Sequence, residues 1–129
     1  MIEAYIYSSC TSCRTTESVL RNSGAAYDTR DYFKHRFSRD ELAGILARAN
    51  LTPREVLSKR SKVYKARGEE IEALSNDELL DLMIQEPTLL RRPLVLGPTG
   101  VIVGHNQSKL EEMIAADEQA WLRMKRRQS

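Results

Sequence analysis

The sequence predicts an α/β fold in which a mixed four-stranded sheet carries an inserted layer of helices. Three observations predict it. The chain opens on a β-α-β pattern, its middle holds two helix-capping boxes, and its last third holds an apolar hairpin followed by a helix.

Ile2 to Tyr7 reads as a first strand, because apolar and polar positions alternate. Ser8 to Thr11 is a turn, Thr11 to Asn22 favours helix although its apolar positions are sparse, and Gly24 is the stop signal. Ala26 to Tyr32 supplies a second strand, parallel to the first through a right-handed crossover. Ser38-Arg39-Asp40-Glu41 is a capping box, with hydroxyl and carboxylate placed to satisfy free amides, and Leu42, Ile45, Leu46 and Ala49 give the helix it opens an apolar face. Pro53 opens a short helix, and the basic segment Lys59 to Lys65 follows. Ser75-Asn76-Asp77-Glu78 repeats the box ahead of Leu79, Leu80, Leu82, Met83 and Ile84. Beyond Pro87, Arg91 to Leu96 leads into an apolar strand, Gly97-Pro98-Thr99-Gly100 turns it, and Val101 to Gly104 returns. Ser108 to Ala116 is a final packed helix. This order is the thioredoxin-like arrangement. It predicts one domain over residues 1–117 with a helical insert at about 38–86, and a polar basic extension over 118–129.

A length of 129 residues with 41% apolar side chains suits one core. The formal charge of +2 creates no field that implies direct nucleic-acid binding, and the cluster Arg123, Lys125, Arg126 and Arg127 reads as a solvated terminus. No export signal or bilayer-length apolar run is present, so a soluble, cytoplasmic protein is expected. In a reducing compartment, two close cysteines are catalytic, sensing or metal-binding more often than a permanent staple.

Those cysteines stand in Ser8-Ser9-Cys10-Thr11-Ser12-Cys13-Arg14. Cys10 falls just before a helix and Cys13 one turn inside it, close enough to exchange protons or form a disulfide. The free amides of the helix start and the charge of Arg14 favour a thiolate at Cys10, the exposed nucleophile, with Cys13 as the shielded resolving thiol. Two plainer readings compete. Zinc would need two further ligands, and the histidines, His35 and His105, lack a paired spacing. An inert core pair is the other, against which the polar neighbours argue.

Three blocks resemble the ArsC/Spx family, which joins glutaredoxin-coupled arsenate reductases to Spx-type transcription regulators: Cys10-Thr11-Ser12-Cys13-Arg14, Arg60-Ser61-Lys62-Val63-Tyr64 and Leu89-Leu90-Arg91-Arg92-Pro93. The resemblance to the reductase branch implies that Cys10 attacks arsenate, that Arg14 and Arg92 hold the oxyanion, that Pro93 is a cis-proline facing the cysteine, and that glutathione and glutaredoxin regenerate the thiol. A guanidinium suits a tetrahedral oxyanion. That branch, however, usually has serine where Cys13 stands, a further oxyanion arginine where His105 stands, and a middle-segment arginine that aligns with Ser58, near Arg60. A site without two charge-assisted contacts loses several kcal/mol for so charged a substrate.

The Spx branch shares the CxxC and both other blocks. That resemblance implies a Cys10–Cys13 disulfide switch to which Arg92 responds, no resident cofactor or metal, and binding of the C-terminal domain of the RNA polymerase α subunit near Arg60 and Lys62. The regulators carry a glycine in the loop before the middle helix, where this chain has Thr52 beside Pro53. A Spx-like redox regulator is therefore the expected function, and an arsenate reductase-like enzyme with Cys10 as nucleophile the alternative. For Lys59, Arg60, Lys62 and Lys65 a solvated helical face is the plainer reading.

Overall fold

The computed structural model describes residues 1–128, which fall into two compact units, one formed by Met1–Asp31 with the chain from Arg92 onward, the other by Tyr32–Arg91. The first unit holds the sheet, made of β1 (Ile2–Ile6), β2 (Tyr27–Asp31), β3 (Leu94–Gly97) and β4 (Gly100–Val103) in the order β2-β1-β3-β4. Its helices are α1 (Thr11–Ser23) and, last in the chain, α5 (Gln107–Gln128). β1 runs parallel to β2, with Ile2 opposite Tyr27, as the α1 crossover requires. It runs antiparallel to β3, with Ala4 opposite Val95, and β3 and β4 close a hairpin at Gly97 and Gly100. The sheet is mixed and the arrangement thioredoxin-like.

One face of β1 explains why α1 lies where it does. Ile2, Ala4 and Ile6 alternate into a core that includes Val95 and Ile102 of the hairpin, Cys13 and Leu20 of α1, and Leu110 and Met113 of α5. The buried residues of α1 are Cys13, Thr16 and Leu20, a stripe at helical spacing in which a thiol and a hydroxyl stand where aliphatic side chains are usual. That is why the helix looked apolar-poor in sequence. Gly24 ends it at φ 74 and donates its N–H to the Arg21 carbonyl. At Gly97 a Cβ would lie 2.6 Å from the Met113 sulfur, so the missing side chain is what lets α5 close on β3.

The second unit contains α2 (Arg39–Ala49), α3 (Lys62–Glu72) and α4 (Asn76–Gln85). Both predicted capping boxes form, Ser38 with Glu41 and Ser75 with Glu78. Leu42, Ile45 and Leu46 of α2, Ile71 of α3, and Leu79, Leu80 and Met83 of α4 are buried. Tyr32 stacks on Phe37 at 5.5 Å and its hydroxyl donates to the Leu90 carbonyl at 3.3 Å, so the unit spans more chain than the 38–86 read from sequence. The segment that leads to β3 is fixed by Ser58 N–H to the Leu89 carbonyl and Arg91 N–H to the Val56 carbonyl, both 2.7 Å.

Two elements differ from the sequence reading. The helix expected at Pro53 is a single 3-10 turn, Pro53–Val56. α5 does not stop near Ala116 but runs on to Gln128, because the residues beyond contain no Gly or Pro and are mostly good helix formers. Its far end exposes Trp121, with Lys125 4.4 Å over the ring. Ser129 lies outside the described residues. No helix among the described residues is long and apolar enough to cross a membrane.

Candidate redox site

β1 delivers the chain to the site and α1 receives it. The Ser8 N–H donates to the Asp31 carboxylate at 3.2 Å, which ties the loop to the end of β2. Cys10 is the N-cap of α1, with extended backbone (φ -87, ψ 125), and its carbonyl accepts from Arg14 N–H at 3.0 Å as the first intrahelical bond. The first turn, Thr11-Ser12-Cys13-Arg14, carries no carboxylate, so nothing there competes with an anion at the helix start.

Tyr7 organises both cysteines. Its carbonyl accepts the Cys10 N–H at 2.9 Å, its own N–H points at the Cys13 sulfur at 3.4 Å, and its ring lies 5.5 Å from the Arg92 guanidinium carbon. Tyr7 is the position that follows β1, where the sequence predicts one more strand residue. Its alternation marks the strand; nothing in the one-dimensional pattern shows that its backbone serves the sulfurs.

The two thiols have opposite environments. Cys10 is partly exposed and Cys13 fully buried, both as free thiols. Partial burial opposes ionisation of Cys10, but hydrogen bonds from the Cys13 amide and thiol, with the charge and hydrogen bond of Arg92, outweigh it and bring the group below its ordinary value. Cys13 is pushed up to about 12, first by burial and then by the adjacent Cys10 sulfur, which the Tyr7 amide only partly offsets. The pair therefore divides into a more acidic, accessible thiol at Cys10 and a buried thiol at Cys13 that stays protonated. When the Cys10 sulfur loses its negative charge, one cause of the Cys13 elevation disappears.

Of the residues singled out from sequence, the first unit brings together Cys10, Cys13, Arg92 and Pro93. The Arg92–Pro93 peptide is cis, Pro93 is buried, and its carbonyl accepts Gly104 N–H at 2.8 Å. Arg14 is exposed, and the guanidinium acting on Cys10 is that of Arg92. Thr52, Arg60 and Lys62 belong to the other unit. All three are exposed: Thr52 caps the 3-10 turn, its N–H donating to Glu55 at 3.3 Å, and Lys62 is the first residue of α3. Within that unit Ser61, between Arg60 and Lys62, is buried and bonds Thr88 at 2.8 Å. A second pair missed from sequence is Thr16 and His105, whose side chains meet at 2.8 Å. Among the described residues no three His, Cys, Asp or Glu side chains gather as metal ligands.

The family model of the ArsC family matches residues 5–113. The chain belongs to the ArsC family. Regulatory protein MgsR of Bacillus subtilis is 35% identical over 106 residues, 82% of this chain and 84% of its own length. A global transcriptional regulator, Spx of Streptococcus pyogenes serotype M3, is 30% identical over 117 residues, 91% of this chain and 87% of its own. In structure, an arsenate reductase from Vibrio cholerae superposes with a TM-score of 0.71 at 23% identity, covering 88% of this chain and 95% of that one, a likeness of fold.

Proposed function

We propose that this ArsC family protein is a Spx-like transcriptional regulator that senses oxidants through a reversible Cys10–Cys13 disulfide. The observation that carries the reading is the placement of a partly exposed Cys10 at the N-cap of α1 and a fully buried Cys13 one turn inside it, where the surroundings lower the first thiol and raise the second. Similarity to MgsR and Spx, both named as regulators, supports it.

The chemistry balances with a peroxide as oxidant. The Cys10 thiolate attacks one peroxide oxygen, the O–O bond breaks, and hydroxide or alkoxide leaves, giving Cys10 sulfenic acid. The Cys13 sulfur then attacks the Cys10 sulfur, the S–O bond breaks, and the Cys13 proton leaves with the hydroxide as water. Two electrons pass from the thiols to the peroxide. Return needs an external thiol, for which glutathione with glutaredoxin, or another dithiol protein, is suited. Arg92 binds the thiolate state and is released from that charge by oxidation, so the sulfur chemistry has a side chain through which to act.

The partner in this reading is RNA polymerase, through the C-terminal domain of its α subunit, and the exposed Thr52, Arg60 and Lys62 are the residues assigned to that contact. Capture of the purified α C-terminal domain on the immobilised full chain, in dithiothreitol and after peroxide, tests it. Binding that differs between the two states is expected. Absence of binding in both would remove this partner.

The arsenate reductase reading has one observation in its favour, the Arg92 guanidinium beside Cys10. Arg14 is exposed and no guanidinium stands at position 105, which leaves that reading fewer arginines to hold an oxyanion.

A further inference from the structure

Cys13, Thr16 and Leu20 form the buried stripe of α1, and Thr16 is 1% exposed. A hydroxyl so enclosed needs a partner. It finds one far away in sequence, the Nδ1 of His105, at 2.8 Å. His105 follows β4, and its neighbour Gly104, at φ 81, donates its N–H to the carbonyl of Pro93 at 2.8 Å. Two consecutive residues thus hold both sides of the thiol pair: Gly104 grips the segment that carries Arg92, and His105 grips α1 one turn beyond Cys13.

We infer that His105 is a positioning residue of the redox site, which sets the placement of the Arg92–Pro93 segment against the Cys10–Cys13 turn through its hydrogen bond to Thr16. The inference rests on the reading of Cys10 and Cys13 as the redox pair and adds residues to it. The threonine hydroxyl both donates and accepts, so the contact survives either protonation state of the imidazole. Without His105 the buried hydroxyl turns to the nearest alternative, the carbonyl of Ser12 one turn back, and a bond of that type bends the helix where the cysteines sit. Cys13 and Arg92 are the neighbours that favour ionisation of Cys10, so a turn displaced from the Arg92 segment weakens that support.

The test reads Cys10 directly. The rate of Cys10 alkylation by iodoacetamide is followed against pH by intact mass, in the reduced full-length protein, with thermal melts to confirm folding. His105→Ala and Thr16→Val are each expected to move the midpoint upward by about 0.5–1 pH unit, and the double variant by no more than either alone. His105→Asn, whose amide reaches the Nδ1 position, is expected to restore the original midpoint. A His105→Ala profile that superimposes on the unaltered one overturns the inference, as does a shift with His105→Ala that Thr16→Val does not reproduce. The readout needs no partner. A low midpoint unmoved by these variants sinks only the role of His105, whereas an ordinary thiol midpoint in the unaltered protein sinks the redox reading as well.

Discussion

Replacing Cys13 by serine is expected to abolish the internal disulfide and, once oxidation passes the sulfenic acid, recovery in dithiothreitol. The serine hydroxyl can still donate to the Cys10 sulfur, so Cys10 remains reactive and peroxide still produces its sulfenic acid. No thiol then lies within reach to close the ring, since the chain has only two cysteines. The sulfenic acid persists, advances to the sulfinic acid that ordinary thiols do not reduce, or is captured by a second molecule. Intact mass after excess peroxide should show the variant gaining oxygen in steps, where the unaltered protein loses two hydrogens and returns fully in dithiothreitol. Clean two-hydrogen loss in the variant would show that Cys13 has no resolving part.

Arg92→Ala is expected to make Cys10 less reactive near neutral pH. Its charge and hydrogen bond are among the causes that lower Cys10, and the variant leaves the opposing burial in place. The Cys10 pKa should rise, which lowers the thiolate fraction and with it the alkylation rate near neutral pH. The sign follows from the thiolate being the reactive form. Reactivity climbs as pH rises through the pKa, so the variant falls behind at pH 7 and converges with the unaltered protein in the alkaline range. Arg92→Lys keeps the charge without the planar fork and should fall between. Stopped-flow alkylation across pH measures all three, and a variant equal to the unaltered protein at pH 7 would assign the low pKa to the helix start and Cys13 alone.

How much of this was legible in the sequence depends on the range of the interaction. The strands, the capping boxes and the cysteine turn announce themselves through local spacing, and Ser38, Ser75 and Cys10 all take the cap positions read for them. Arg92 and Pro93 were legible through resemblance, not chemistry, because nothing adjacent in the chain reveals that their segment meets Cys10. Thr16 and His105 were hidden for the same reason. Each alone is an ordinary polar residue, and only the β3–β4 hairpin brings position 105 to position 16. Arg14 is the opposite case. It is adjacent to the motif in sequence, yet a helix turns its side chain to solvent, and a residue from across the sheet supplies the charge instead. The end of α5 was misread because a charged segment without breakers looks like a tail when no partner is visible, and here it simply continues the helix.

The most direct test of the central claim is a count of free thiols in the full-length protein before oxidation, after one equivalent of peroxide, and after return to dithiothreitol. The account predicts that both thiols of Cys10 and Cys13 are present, vanish together within one molecule, and return together. Loss of a single thiol, or of two that dithiothreitol does not restore, would contradict it.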